Sequence, residues 1–148
     1  RDNEAVEQQE VAEQHGLAAA RAGHHHRRQE GAGDTQHGER ARILARQNAE
    51  AAQALQLWVG GHPRDAQAWQ LLAMAQAAQG QTLRAIRAEA EAQVALLDFG
   101  AAADRFRAAQ EWIRKAPDAR AIDQIEAAVI DTRWREVQQV LRQQAAEK

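Results

Sequence analysis

The sequence predicts an all-α protein, on three observations. Hydrophobic residues make up 45% of the 148-residue chain, yet the mean hydropathy is −0.67 and aromatic residues contribute 4%, so the apolar content is carried largely by alanine, the best helix former. The two prolines, Pro63 and Pro117, both fall between apolar-periodic segments, where a helix has to break. No segment shows the apolar/polar alternation of a strand, and no Asn-Gly hairpin signal occurs.

Taken in order, Asp2 to about Ala22 is rich in Glu, Gln and Ala, with only Val6 and Leu17 as a weak stripe, and is a helix on propensity. "GHHHRRQEGAGDTQHGE" follows, with Gly23, Gly31, Gly33 and Gly38 and no apolar residue larger than alanine, which reads as a loop. Residues 1–38 are therefore expected as an N-terminal helix plus a flexible Gly/His/Arg-rich loop, and residues 39–148 as the helical domain proper. From Glu39 to Val59, Leu44, Ala51, Leu55 and Trp58 fall on one stripe, ended by "GGHPRD".

The next segment, from Asp65 or Ala66 to Gln79, carries Trp69, Leu72 and Ala73 on one face. Gln79-Gly80 forms a turn, after which Thr82 caps a helix holding Leu83, Ile86, Ala90, Val94 and Leu97. A helix from about Ala101 to Lys115 continues a stripe of Phe99, Ala102, Phe106, Ala109 and Ile113. Past "KAPDAR", a long helix from about Arg120 to Gln144 shows Ile122, Ile125, Val129, Ile130, Trp134, Val137 and Leu141, with a polar end that suits a terminal cap.

Successive antiparallel helices of about 14 residues, each apolar on one stripe, are what a helical solenoid needs, because one hairpin cannot bury its own face. "AWQLLAMAQAAQGQTLRA" fits the tetratricopeptide pattern. With Ala66 as first position of a 34-residue unit, Trp69, Leu72, Ala73, Ala85 and Ala92 take the bulky and small positions, and Phe106 packs in the next helix. The expected architecture is a tetratricopeptide-like right-handed superhelix of antiparallel helix pairs. Gln76 and Glu89 stand where that pattern has aromatics, and the phase is lost before Gly61.

Within Pro63 to Val137, "RAEAEAQVALLDFGAAADRFRAAQ" and "IEAAVIDTRWREV" resemble the carboxy-terminal tetratricopeptide region of bacterial periplasmic M48-type zinc metallopeptidases. The resemblance implies a non-catalytic, protein-binding module beside a protease domain, in the periplasm, in outer-membrane protein quality control. It implies zinc only in a catalytic domain that this chain lacks. That family's His-Glu-x-x-His signature, two zinc ligands on one helical face with a glutamate that activates water, is not matched by any of the six histidines. The chain begins at Arg1, so it is expected to be an excised piece.

No catalytic constellation is expected. The chain has no serine and no cysteine; Thr35, Thr82 and Thr132 have no organised base nearby in sequence. His24, His25 and His26 are consecutive in a Gly-flanked loop and lack a partner at helical spacing, so they read as solvated rather than as metal ligands, and no metal or other cofactor is expected. His37 and His62 read as boundary residues. The carboxylate pairs Glu89 with Glu91 and Asp123 with Glu126, and the arginines Arg84, Arg87, Arg105 and Arg107, read as solvated helix faces.

A net charge of −2 gives no reason to expect nucleic acid, and no apolar run approaches the roughly 20 residues of a membrane span. The expected partners are proteins or peptides: envelope or outer-membrane proteins, or the chain's own protease domain. They would bind on the concave face, which the 34-residue phasing assigns to Gln67, Gln70, Leu71, Met74, Ala77 and Ala78. A carboxylate-clamping subclass is disfavoured, since Gln70 and Met74 stand at its Lys and Asn positions. A free-standing adaptor, and a domain that only packs on the protease, are the alternative readings. Apolar surface left by an incomplete first repeat would promote homodimers of the fragment.

Overall fold

Aspartates decide where most of the helices begin. The computed structural model describes residues 36–118 and 122–148, and every regular element among them is helical. Helix α1 covers residues 36–61; α2 (Ala66–Ala78), α3 (Thr82–Ala95), α4 (Phe99–Lys115) and α5 (Gln124–Ala146) follow. The predicted first helix, most of the glycine-rich loop and His24, His25 and His26 lie outside the described residues. The chain divides into units Arg1–Leu44 and Ala45–Lys148; the second holds α2 to α5 and α1 from Ala45 onward.

The Asp65, Asp98 and Asp123 side chains accept from Ala68, Ala101 and Glu126 backbone N–H groups, satisfying donors that an α-helix leaves free in its first turn. Helix α3 differs: its N-cap is Gln81, with no side-chain cap bond, so the predicted Thr82 cap is displaced by one residue. Ile122, the residue before the α5 cap, is buried in the same cluster that Ala127 packs against, the arrangement of a hydrophobic staple. Gly38, Gly60 and Gly61 lie inside α1, which overrides the breaks read at both of its ends.

Helices α2 and α3 end alike but with different residues. In each, the N–H two positions past the cap reaches back to the carbonyl three from the helix end, Gln81 to Gln76 at 2.9 Å and Asp98 to Gln93 at 2.9 Å. Both turns need a left-handed residue. Gly80 (φ 73°) supplies it at no steric cost, whereas Leu97 (φ 62°) carries a Cβ into a conformation that disfavours it by about 1–2 kcal/mol. Leu97 is thus an exposed turn residue, not part of the stripe the periodicity assigned to it.

Two buried clusters meet at α3. One joins Ala52 and Val59 of α1, Ala68, Trp69, Leu72, Ala73 and Ala75 of α2, and Ala88 and Ala92 of α3. The other joins Leu83 and Ala90 of α3, Ala102, Ala103, Phe106 and Ala109 of α4, and Ile122, Ile130 and Val137 of the α5 segment. In α1 Leu55 of the predicted stripe packs against the first cluster, but Ala51 and Trp58 are exposed and their neighbours Ala52 and Val59 are buried instead, so the packed face is turned part-way round from the prediction. In α5, Ile125 is 79% exposed and leaves the predicted core.

Successive helices pack against each other from α2 to α5, and α3 also packs against α5. Three ion pairs tie α3 to α5, Arg84 with Asp123, Arg87 with Glu126 and Glu91 with Arg133. Their numbers rise together on both helices, so α3 and α5 run parallel.

Candidate functional site

The polar residues that matter most lie on α3 and α5, where the sequence suggested only solvated charge. Glu91 and Glu126 are buried, a correction to the solvated-face reading. Burial of a carboxylate is tolerable only with a partner. Arg133 supplies one in bidentate form, its Nε and Nη2 donating to the two Glu91 oxygens at 2.7 and 2.8 Å, and it also pairs with Glu136. Glu91 holds the Arg133 guanidinium well above the usual arginine range. Arg87 Nη1 donates to Glu126 at 3.1 and 3.3 Å. Asp123 is held below the ordinary aspartate range, first by the Glu126 N–H and then by Arg84.

Beside this strip opens a cleft of about 250 Å³, lined among others by Gln56, Trp69, Gln76, Arg84, Arg87 and Glu126. It continues into a second hollow of about 330 Å³, which shares Gln56, Gln76 and Arg84 and adds Gln53, Gln79 and Gln81. The wall is built by the chain's local geometry. Trp69 Nε1 donates to the Pro63 carbonyl at 3.0 Å, which fixes the indole, and Asp65 anchors the preceding turn by accepting from Trp58 Nε1 at 2.9 Å. His62 stacks on Trp58 with ring centroids 3.8 Å apart, and its Nδ1 lies 3.1 Å from the Trp58 carbonyl, so the bonded tautomer carries its proton on Nδ1.

Two of the residues that line the cleft each carry a polar atom that is buried from solvent without a partner, Gln76 Oε1 and Arg87 Nε. Such atoms are rare in folded proteins, because each costs about 1–3 kcal/mol when left unsatisfied.

Among the described residues, no group of three or more His, Asp or Glu is arranged to hold a metal ion, and no helix is long and apolar enough to cross a membrane. No known family, curated protein or solved structure matches the chain significantly.

The six residues assigned to the concave face, Gln67, Gln70, Leu71, Met74, Ala77 and Ala78, are all exposed on α2, Met74 by 68%, and none lines the cleft. Of the six assigned to packing, Trp69, Leu72, Ala73 and Ala92 are buried in the first cluster, Phe106 in the second, and Ala85 is buried as well. A second apolar surface lies on α5, where Ile125, Ala128, Val129 and Thr132 share one shallow hollow. Sequence reading missed the glutamines of the cleft and the buried carboxylates. Gln76 at an aromatic position of the repeat pattern was the signal available, a polar residue on a stripe otherwise made of Trp69, Leu72 and Ala73.

Proposed function

We propose that this chain is a non-catalytic, tetratricopeptide-like module that binds proteins or peptides. The observation that carries the reading is the open, glutamine-lined cleft beside the parallel pair α3 and α5. Stacked helix pairs create extended binding surfaces. The position of the cleft favours a binding face that includes Gln53 and Gln56 of α1, Arg84 and Arg87 of α3 and Glu126 of α5 over the exposed face of α2. The sequence resemblance to the carboxy-terminal region of M48-type peptidases supports a place beside a periplasmic zinc protease domain, where the module would hold envelope proteins or the protease's own cleft. In that setting the chain itself needs no cofactor, and zinc belongs to the attached domain.

A pull-down from periplasmic extract tests the reading, with captured proteins identified by mass spectrometry. Leu71→Glu/Met74→Glu changes the α2 face and Gln53→Arg/Gln56→Arg changes the cleft, all four positions being exposed in the structure. Capture of outer-membrane or assembly proteins that is lost only in the second, folded variant supports the α1, α3 and α5 face. Loss only in the first moves the site to α2. Equal capture by all three proteins moves the site off both faces, and capture by none overturns the interaction reading in favour of a domain that serves only to pack.

A further inference from the structure

We propose that a second copy of this chain docks on the outer face of α5, as an antiparallel helix pair in which Ile125 of each copy meets Thr132 of the other and Val129 meets Ala128. This surface is separate from the cleft, and the inference does not depend on the binding role given to the cleft.

Ile125, Ala128, Val129 and Thr132 border one shallow hollow of about 450 Å³. Ile125 is 79% exposed, Ala128 and Thr132 are exposed and Val129 is half-buried. The polar groups at this face are engaged: Thr132 Oγ1 donates to the Ala128 carbonyl at 2.9 Å, and the Arg133 guanidinium at the rim pairs with Glu91 and Glu136. The face therefore offers shape rather than hydrogen bonds, which tells against a peptide main chain or an anion as its occupant. The order of side chains points to a second copy. A two-fold contact requires a surface that complements itself. Laid antiparallel, each bulkier residue, Ile125 or Val129, faces a smaller one, Thr132 or Ala128, whereas a parallel copy would set Ile125 on Ile125 and leave a gap between two Ala128 side chains. Charge favours the same direction. A parallel pair would place Arg133 beside Arg133 and Glu136 beside Glu136, while a two-fold axis between Ala128 and Val129 separates these like charges by about 14 and about 22 Å along the helix, beyond the roughly 10 Å over which exposed charges act in moderate salt. A face one helix wide falls short of the roughly 20–30 residues per side of a standard interface, so the dimer is weak and reversible.

The test is sedimentation velocity of the full chain from about 10 to about 500 μM, a range that spans weak association. The weight-average sedimentation coefficient is expected to rise with concentration from the monomer value toward that of a dimer. Ile125→Glu and Thr132→Lys, each at an exposed position, are each expected to raise the dissociation constant by about tenfold or more with the fold retained by circular dichroism. An acidic residue in the first turn of a helix is itself favourable, so Ile125→Glu leaves α5 formed, and Thr132→Lys gives a second variant independent of it. The double variant Ile125→Glu/Thr132→Lys decides the geometry. In the antiparallel pair it sets opposite charges face to face at both ends, so association is expected to return to the wild-type level or above, and to weaken again in high salt. In a parallel pair it sets like charges together, and no recovery follows. A monomer at every concentration, a dimer that both folded single variants leave unchanged, or a double variant no stronger than the single ones overturns the proposal.

Discussion

The two clusters that flank α3 are built from different materials. Toward α1 and α2, six of the nine buried residues are alanine, and Trp69 and Leu72 supply most of the bulk. Toward α4 and α5, Phe106, Ile122, Ile130, Leu83 and Val137 are buried, and Ile86, Val94, Phe99, Ile113, Trp134 and Leu141 pack around them. Small side chains let helices approach closely but remove little apolar surface from water, whereas large ones contribute most of the hydrophobic stabilisation. The comparison teaches a division of labour. The bulky side holds the fold together, and the alanine side is where the wall opens into a cleft.

The largest expected effect tests the bulky side. Phe106 is fully buried, so Phe106→Ala should destabilise the protein by about 3–5 kcal/mol in urea titrations monitored by circular dichroism. A loss below about 1 kcal/mol would show that this cluster is not the main support. On the other side the sensitive change is an increase in size. Ala88 is buried where α3 meets α2 and it also lines the cleft, so Ala88→Leu should cost about 1–3 kcal/mol by overpacking and abolish cleft binding together. An unchanged Tm would mean that the alanine side tolerates bulk and is packed loosely.

A smaller effect of opposite sign belongs to the turn after α3. Leu97→Gly should raise stability by about 1 kcal/mol, because glycine adopts φ 62° without strain and Leu97 is exposed and gives up little packing. The same substitution made at a helix interior would lower stability, so a fall in Tm would refute the strain argument. The smallest effect is in acid. Asp65 is held below the ordinary aspartate range by the Ala68 N–H, Trp58 and His62, and Asp123 by the Glu126 N–H and Arg84. A carboxyl whose folded pKa lies below its unfolded value stabilises the fold above the unfolded pKa of about 3.9, and that contribution is lost as pH falls through the folded pKa. Stability should therefore be level near neutrality and decline below about pH 4. Asp65→Asn and Asp123→Asn together should flatten that decline, since asparagine still caps a helix.

The helical character was legible in the alanine content and the placement of Pro63 and Pro117, and the faces of α2 and α4 were legible at the level of single residues. Trp69, Leu72, Ala102, Phe106 and Ala109 recur at intervals of three, four and seven, and each is buried. The register of α1 was not legible. Gly38, Gly60 and Gly61 signalled breaks that α1 runs through, and its stripe competed with an equally apolar Trp58 that the structure turns outward to His62 and Asp65.

The buried charges escaped sequence reading for a different reason. Glu91 and Arg133 are 42 positions apart, as Arg87 and Glu126 are 39 apart, and no helical period connects residues that meet only because α3 and α5 lie side by side. The cleft depends on that same long-range pairing. Its glutamines could be read one by one, but not as a group.

Helix α3 gives side chains to both clusters, Ala88 and Ala92 to one and Leu83 and Ala90 to the other. Neither half of the Ala45–Lys148 unit can therefore melt while keeping its own core intact. Heat and denaturant should meet a single cooperative transition, and a protease cut within α3 should release no stable fragment, because each product would lose one wall of the core that it kept.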